Sequence, residues 1–181
     1  ENEQVNPEVI TRKYYDAFRG RIIFPIMRSD GAPIALGGRI ISDDKDAPKY
    51  INSKESPVYF KRRSFYGIAQ AIDGIRRAKH AYIVEGYLDV ISLHQRGLLD
   101  VIACCGTAVT EEHAQILKRM TNRVTAMFDG DAAGRKAAAR CFSAFLNSGI
   151  EVNAVMLPEG EDPDTFSRKH GFDELQKYIA E

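Results

Sequence analysis

Cysteine is scarce in this chain, and its spacing excludes more than its number does. Cys104, Cys105 and Cys141 form no C-x-x-C pair, and none has a histidine at zinc-ligand spacing. That argues against a zinc module and leaves small apolar residues suited to a reducing cytoplasm. Long apolar runs are missing as well, since no stretch approaches the roughly 20 residues a membrane span needs. The chain opens on Glu1 with no secretory leader pattern, so it reads as a piece of something longer. Net charge is lacking too, with 25 Lys and Arg against 25 Asp and Glu in 181 residues. Residues 1–63 carry 12 basic and 9 acidic side chains, and residues 64–181 carry 13 and 16. A mildly basic half beside an acidic half suits a protein that grips phosphates and concentrates cations.

What is present is a hydrophobic fraction of 44%, enough to fill a core. The first part is β-rich. Arg21–Met27 is β-branched and apolar, Ser29-Asp30-Gly31 signals a turn, and 32–41 returns as a second strand. Pro25 places the first strand at an edge or a bulge. Gly37-Gly38 marks a bend or a close backbone approach. Residues 42–56 are polar and read as a loop with some extended character.

From about residue 64 the pattern changes to alternating helices and strands. Helices are expected at 67–78, 86–96, 110–120 and 132–147, and strands at 80–84, 100–104, 123–128 and 151–157. Thr110 is a plausible N-cap, with Glu111 and Glu112 in the first turn. The tail from Asp164 to Glu181 is helical, interrupted near Gly171. This order calls for an α/β fold, a mainly parallel sheet flanked by helices and preceded by a small β-rich subdomain.

Ligands in such sheets bind outside the carboxyl ends of the strands. Glu85 follows the first strand of the alternating region, Asp129 and Asp131 the third, and Asp162 and Asp164 the fourth. Grouped carboxylates repel one another unless a cation joins them. Mg²⁺ takes one or two carboxylates with water and phosphate, a combination suited to metal-assisted phosphoryl transfer. The bland alternatives are turn and capping roles: Asp131 ahead of Ala132 reads equally as a helix N-cap, and 161–164 alone reads as a turn with a helix start. Asp89 falls inside an expected helix and reads as a polar face residue.

Residues 85–90 (Glu-Gly-Tyr-Leu-Asp-Val) and 129–134 (Asp-Gly-Asp-Ala-Ala-Gly) resemble the glutamate and Asp-x-Asp motifs of Toprim domains. With 21–26 (Arg-Ile-Ile-Phe-Pro-Ile), 37–39 (Gly-Gly-Arg), 48–53 (Pro-Lys-Tyr-Ile-Asn-Ser) and 161–165 (Glu-Asp-Pro-Asp-Thr), the finer resemblance is to the catalytic core of bacterial DnaG-type primases, from about Tyr15 onward. It implies residues 1–63 as part of a nucleic-acid-binding subdomain and 64–181 as the Toprim domain. It also implies metal-dependent, DNA-templated synthesis of short RNA primers from ribonucleoside triphosphates in the bacterial cytoplasm. Glu85, Asp129 and Asp131 would be catalytic. These three, joined by Asp162 and Asp164, would hold Mg²⁺, with Mn²⁺ able to substitute. Arg39, Lys49, Tyr50, Asn52 and Lys61 would contact nucleotide or template.

The residues themselves agree with part of this picture. Lys49-Tyr50 couples a cation with a stacking face, and Lys61-Arg62-Arg63 is a short basic run, of which Arg62 and Arg63 read individually as solvated surface. The family's zinc module and its helicase-binding domain have no counterpart in this chain. Two other readings are a Toprim topoisomerase or nuclease and a non-catalytic Toprim DNA-binding module. The topoisomerase reading needs a nucleophilic tyrosine, and nothing marks Tyr14, Tyr50 or Tyr87 as one.

Overall fold

The computed structural model describes residues 15–44 and 46–180. Tyr14 and Glu181 lie outside them. Strand β1 (Arg21–Met27) turns back through Asp30 and Gly31 into β2 (Pro33–Ile40), which pairs with β3 (Tyr50–Asn52), giving an antiparallel sheet in the order β1-β2-β3. Pro25 does lie on an edge strand, opposite Leu36, and the register shifts between Ile26 and Met27. The 42–56 stretch, expected as a loop with some extended character, contributes β3; polar neighbours on both sides hide the bounds of these three residues from periodicity.

After a 3-10 turn (Lys61–Arg63), the two-residue strand β4 (Phe65–Tyr66) opens the second sheet. The remaining elements are α1 (Ile68–Ala78), β5 (Ala81–Val84), α2 (Tyr87–Gln95), β6 (Val101–Cys104), α3 (Glu111–Lys118), β7 (Arg123–Phe128), α4 (Ala132–Leu146), β8 (Glu151–Met156), α5 (Pro163–His170) and α6 (Phe172–Ala180). The strand order is β4-β6-β5-β7-β8, with β4 antiparallel and the other neighbours parallel. Gly171 at φ 90 separates the two tail helices, where the sequence suggests an interruption.

Apolar residues divide cleanly between the two faces of this sheet. Ile75, Leu117, Cys141 and Phe145, from α1, α3 and α4, pack with Ile83, Ile102 and Val124. Val90, Leu93, Phe166 and Leu175, from α2, α5 and α6, cover the other face with Val84 and Met127. Both faces are therefore dry, which is why the strands read as continuous apolar runs rather than alternating ones. All three cysteines are free and buried, and burial raises each thiol above its ordinary value.

Two polar contacts lock strand ends. His80 joins Asp100 (3.1 Å) and Thr125 (2.9 Å), tying the starts of three neighbouring strands. His113 is fully buried in α3. Its Nδ1 accepts from the Thr110 backbone N–H (3.2 Å), so Nε2 carries the proton and donates to the Ser64 carbonyl (3.2 Å). Thr110 caps the helix as expected, its hydroxyl accepting from the His113 N–H.

Burial holds both His113 and His94 below the ordinary histidine value of 6.5. Their contribution to stability is complete above about pH 6.5 and is lost as pH falls toward the folded values, because the unfolded chain protonates first. Between pH 7 and pH 5 the parent chain should therefore lose more stability than a His113→Gln variant, as read from urea midpoints. Parallel pH profiles for the two proteins would remove His113 from the account.

Candidate functional site

The sheet order locates the crevice. From β5 the chain moves one place outward to β6, then crosses back to place β7 on the opposite side of β5. The helices that leave β5 and β7 lie on opposite faces of the sheet, so the two strands part at their carboxyl ends, the usual ligand position in such folds. Glu85 follows β5 and Asp129 follows β7.

The Asp129 backbone N–H points toward Glu85 Oε1 at 3.4 Å, so the two acids stand side by side. Burial and then the charge of Asp129 raise the Glu85 carboxyl; burial, Asp162 and Asp131 raise Asp129. Asp162, Asp164 and Thr165 enter the same cavity from the start of α5. The strand ends that sequence marks as acid-bearing thus open to the same side of the molecule.

Backbone packing sets their spacing. A Cβ at Gly130 would lie 2.2 Å from the Leu157 carbonyl oxygen, and one at Gly134 would lie 2.1 Å from that of Asp129. Only glycine lets α4 begin against the turn that carries Asp129. Asp131 and Asp162 are helix N-caps, accepting from the backbone N–H of Gly134 and Thr165 at 2.7 Å each. Capping occupies one oxygen of each carboxylate and leaves the other.

The opposite wall comes from the antiparallel sheet. Arg39, Lys49, Tyr50 and Asn52 line the same cavity of about 670 Å³ as Glu85, Asp129, Asp162 and Asp164. The Arg39 guanidinium lies 5.9 Å from the Tyr50 ring centre. Asn52 is engaged at both ends: Tyr87 Oη donates to its Oδ1 (2.9 Å) and its Nδ2 donates to the Cys105 carbonyl (3.1 Å). Tyr87 also packs over Gly37, where a Cβ would lie 2.5 Å from the ring, so the Gly-Gly pair is a close backbone approach.

Not every expected residue enters the cavity. Asp131 stands outside its lining and acts on Glu85 and Asp129 through charge. Lys61 also stands outside, in the 3-10 turn, where its backbone N–H donates to Glu55. Arg62 pairs with Glu112 and Arg63 lies over the Phe60 ring. Asp164 is bound to Ser92 and to Arg168 (2.9 Å).

Two residues were missed by the sequence reading. Asp89 is not a polar face residue: it is buried, accepts from the Gly86 N–H (3.0 Å), and is pushed up to about 7 by burial and then by Asp162. Its position three residues after the residue that precedes α2 was a weak signal: the Asp89 carboxylate caps the Gly86 N–H, but Gly86 has no side chain to complete a capping box. Arg168 lines the cavity, and its i,i+4 spacing from Asp164 foretold their pairing. Among the described residues no group of three His, Cys, Asp or Glu side chains converges closely enough to hold a metal ion alone.

Residues 82–167 match a family model described as Toprim-like, and residues 3–72 match one described as DNA primase catalytic core, N-terminal domain. The chain is 42% identical over 167 residues to a DNA primase of Myxococcus xanthus, covering 92% of this chain and 27% of that protein. It is 47% identical over 170 residues to one from Pseudomonas putida, covering 92% and 26%. Similar solved structures include the Aquifex aeolicus primase zinc-binding and RNA polymerase domains, at TM-score 0.88 and 41% identity over 92% of this chain and 41% of that one. Another is a DnaG primase catalytic domain bound to single-stranded DNA, at TM-score 0.84 and 39% identity over 92% and 54%. The chain thus spans about a quarter of the curated relatives' length.

Gly134→Ala should destabilise the fold by about 1–3 kcal/mol through overpacking, although alanine is the better helix former by about 1 kcal/mol. Urea denaturation checks this. A gain in stability would mean that the α4 start does not press on the Asp129 carbonyl.

Proposed function

The chain belongs to the DnaG-type DNA primase family as part of its Toprim-containing catalytic core, and from that premise we propose that it carries the nucleotidyl-transfer centre for RNA primer synthesis. One observation carries the reading: two carboxylates, Glu85 and Asp129, share the switch-point crevice, where burial and then Asp129 raise the Glu85 carboxyl, and burial and then the neighbouring acids Asp162 and Asp131 raise Asp129. Such a pair is unfavourable unless a cation joins it.

Toprim domains in general use divalent metal, and the donor set here fits one. The oxygens are hard carboxylates, and Mg²⁺ commonly needs only one or two of them beside water and phosphate. Glu85 and Asp129 would hold such an ion, Mg²⁺ or Mn²⁺, with the second oxygens of Asp131 and Asp162 and with Asp164 at the margin. When bound, the ion supplies charge to lower the pKa of the attacking 3′-hydroxyl and to neutralise the departing pyrophosphate.

The chain's own side chains do the positioning. Arg39 and Lys49 meet the phosphates of an incoming ribonucleoside triphosphate or of the single-stranded DNA template. The Tyr50 ring offers a stacking face. Asn52 orders Tyr87 and the 104–106 turn rather than reaching far into the cavity. Lys61 extends the basic track outside the cavity. In this division residues 1–63 form the nucleotide-binding wall and 64–181 the metal-binding domain. Pairing with the template selects the ribonucleotide, the 3′-oxygen attacks the α-phosphorus, and the bond to pyrophosphate breaks. The complete protein would work in the bacterial cytoplasm and meet the replicative helicase through a region outside this chain. No described helix is long and apolar enough to cross a membrane.

Asp129→Asn removes one of the repelling charges. It should raise the melting temperature in metal-free buffer and abolish the increment that Mg²⁺ gives the parent chain, about 1.4 kcal/mol at a tenfold excess over Kd. A variant that keeps the increment overturns the assignment. In the complete protein, Asp129→Ala should abolish ribonucleotide incorporation. Nicking or relaxation of supercoiled DNA by the parent would favour the topoisomerase or nuclease reading instead.

A further inference from the structure

Beyond the acidic crevice, three cavities run end to end along the seam between α3 and α4. The first, about 450 Å³, shares Glu85, Cys104 and Gly106 with the main cavity and extends past Thr107 to Lys136 and Arg140. The second shares Lys136 and Arg140 with it and continues past Glu111 to Asn147. The third shares Glu111 and Asn147 with the second and ends at Lys118 and Arg119. The seam follows the 15 residues of α4, about 22 Å at 1.5 Å per residue.

Its charge is one-sided. Lys136, Arg140, Lys118 and Arg119 line it against a single acid beyond the crevice, Glu111. Helix α4 holds Arg135, Lys136 and Arg140 and no acidic residue. Among the described residues none of the four lining cations has a carboxylate within salt-bridge distance, whereas Arg62, on the neighbouring surface, is paired with Glu112. Lys118 donates to the Gly149 carbonyl, and the rest face open groove. The upper part also has an apolar wall from Val109, Phe128, Ala133 and Ala137. Cations spaced along a groove with an apolar flank suit a sugar–phosphate strand with its bases turned to the wall.

We propose that the α3–α4 groove is a second nucleic-acid track that leads a single strand away from the acidic centre. This rests on the polymerase reading above. A templated reaction brings two strands together at one centre and must let them part, and the Arg39–Lys49–Tyr50 wall accounts for one when it holds the template. The groove opens on the far side of Glu85, Cys104 and Gly106 and takes the other.

The test measures strand binding, which does not depend on synthesis. Anisotropy titrations would use fluorescent single-stranded DNA and RNA of equal length at several salt concentrations. The chain would be the parent, Lys136→Ala with Arg140→Ala, or Arg76→Ala with Arg77→Ala on α1 as a charge-matched control. Loss of two phosphate contacts should lower the slope of log affinity against log salt by about 1.4 and weaken binding roughly tenfold or more at 0.1 M salt. The control should stay near the parent. Ala139→Cys, in the exposed groove and carrying a photocrosslinker, should capture the strand. A larger loss for RNA assigns the groove to the product, and a larger loss for DNA assigns it to the template. Equal weakening in the control, or unchanged binding with no crosslink, overturns the proposal. If Asp129→Asn keeps its Mg²⁺ response while the groove variant loses binding, the polymerase reading fails and the track stands.

Discussion

The seat of Tyr87 on Gly37 is the contact on which the rest of the site depends. It is the first residue of α2, two places after Glu85, and it lies against the backbone of β2. Around it gather Phe24 from β1 (5.6 Å between ring centres), Tyr66 from β4 (4.4 Å) and Tyr50 from β3 (6.2 Å). Each such aromatic pair contributes about 0.5–1.5 kcal/mol beyond its burial. The Tyr87–Asn52–Cys105 hydrogen bonds run through the same junction. A basic wall and an acidic edge, held by different sheets, face each other across one cavity because this aromatic junction welds the sheets together.

Burial and repulsion at the acidic edge work against that weld. Asp89, Glu85 and Asp129 all bind protons more readily than ordinary carboxylates, through desolvation first and a neighbouring acid second: Asp162 for both Asp89 and Asp129, and Asp129 for Glu85. The fold offsets this locally. Asp131 and Asp162 return some stability as N-caps, each worth about 1 kcal/mol against alanine, and Asp164 is held by Arg168 and Ser92. The acids nearest the crevice keep the least compensation. A protein under selection for stability alone would not keep such an arrangement.

Much of the fold is legible because strand and helix periods differ so strongly after residue 64. The doubly covered sheet follows from apolar runs at β5, β6 and β7 separated by helix-length segments. What is not legible has local causes. Strand β4 is two residues long and carries no period. Strand β3 is a three-residue strand in polar surroundings. Strand order is a tertiary property, so the crevice between β5 and β7 was out of reach even though Glu85 and Asp129 could be placed at strand ends. Asp89 looked like a helix-face residue because its partner is the Gly86 N–H, and glycine lacks the side chain that would make the three-residue spacing recognisable as a capping pair. Asn52 lines the cavity as expected of a ligand contact, and each end of its amide also holds one partner inside the protein, Tyr87 and the Cys105 carbonyl, a role that its sequence position did not announce.

The glycines at 130 and 134 have a further consequence. Main chain touches main chain there: Gly130 against Leu157 and Pro158, and Gly134 against the Asp129 carbonyl. Peptide units have the same dimensions whatever side chains they bear. The distance between the acid-bearing turns is therefore insulated from drift in the surrounding core, and hydrophobic residues beneath the sheet can be exchanged over generations without retuning the chemistry above it.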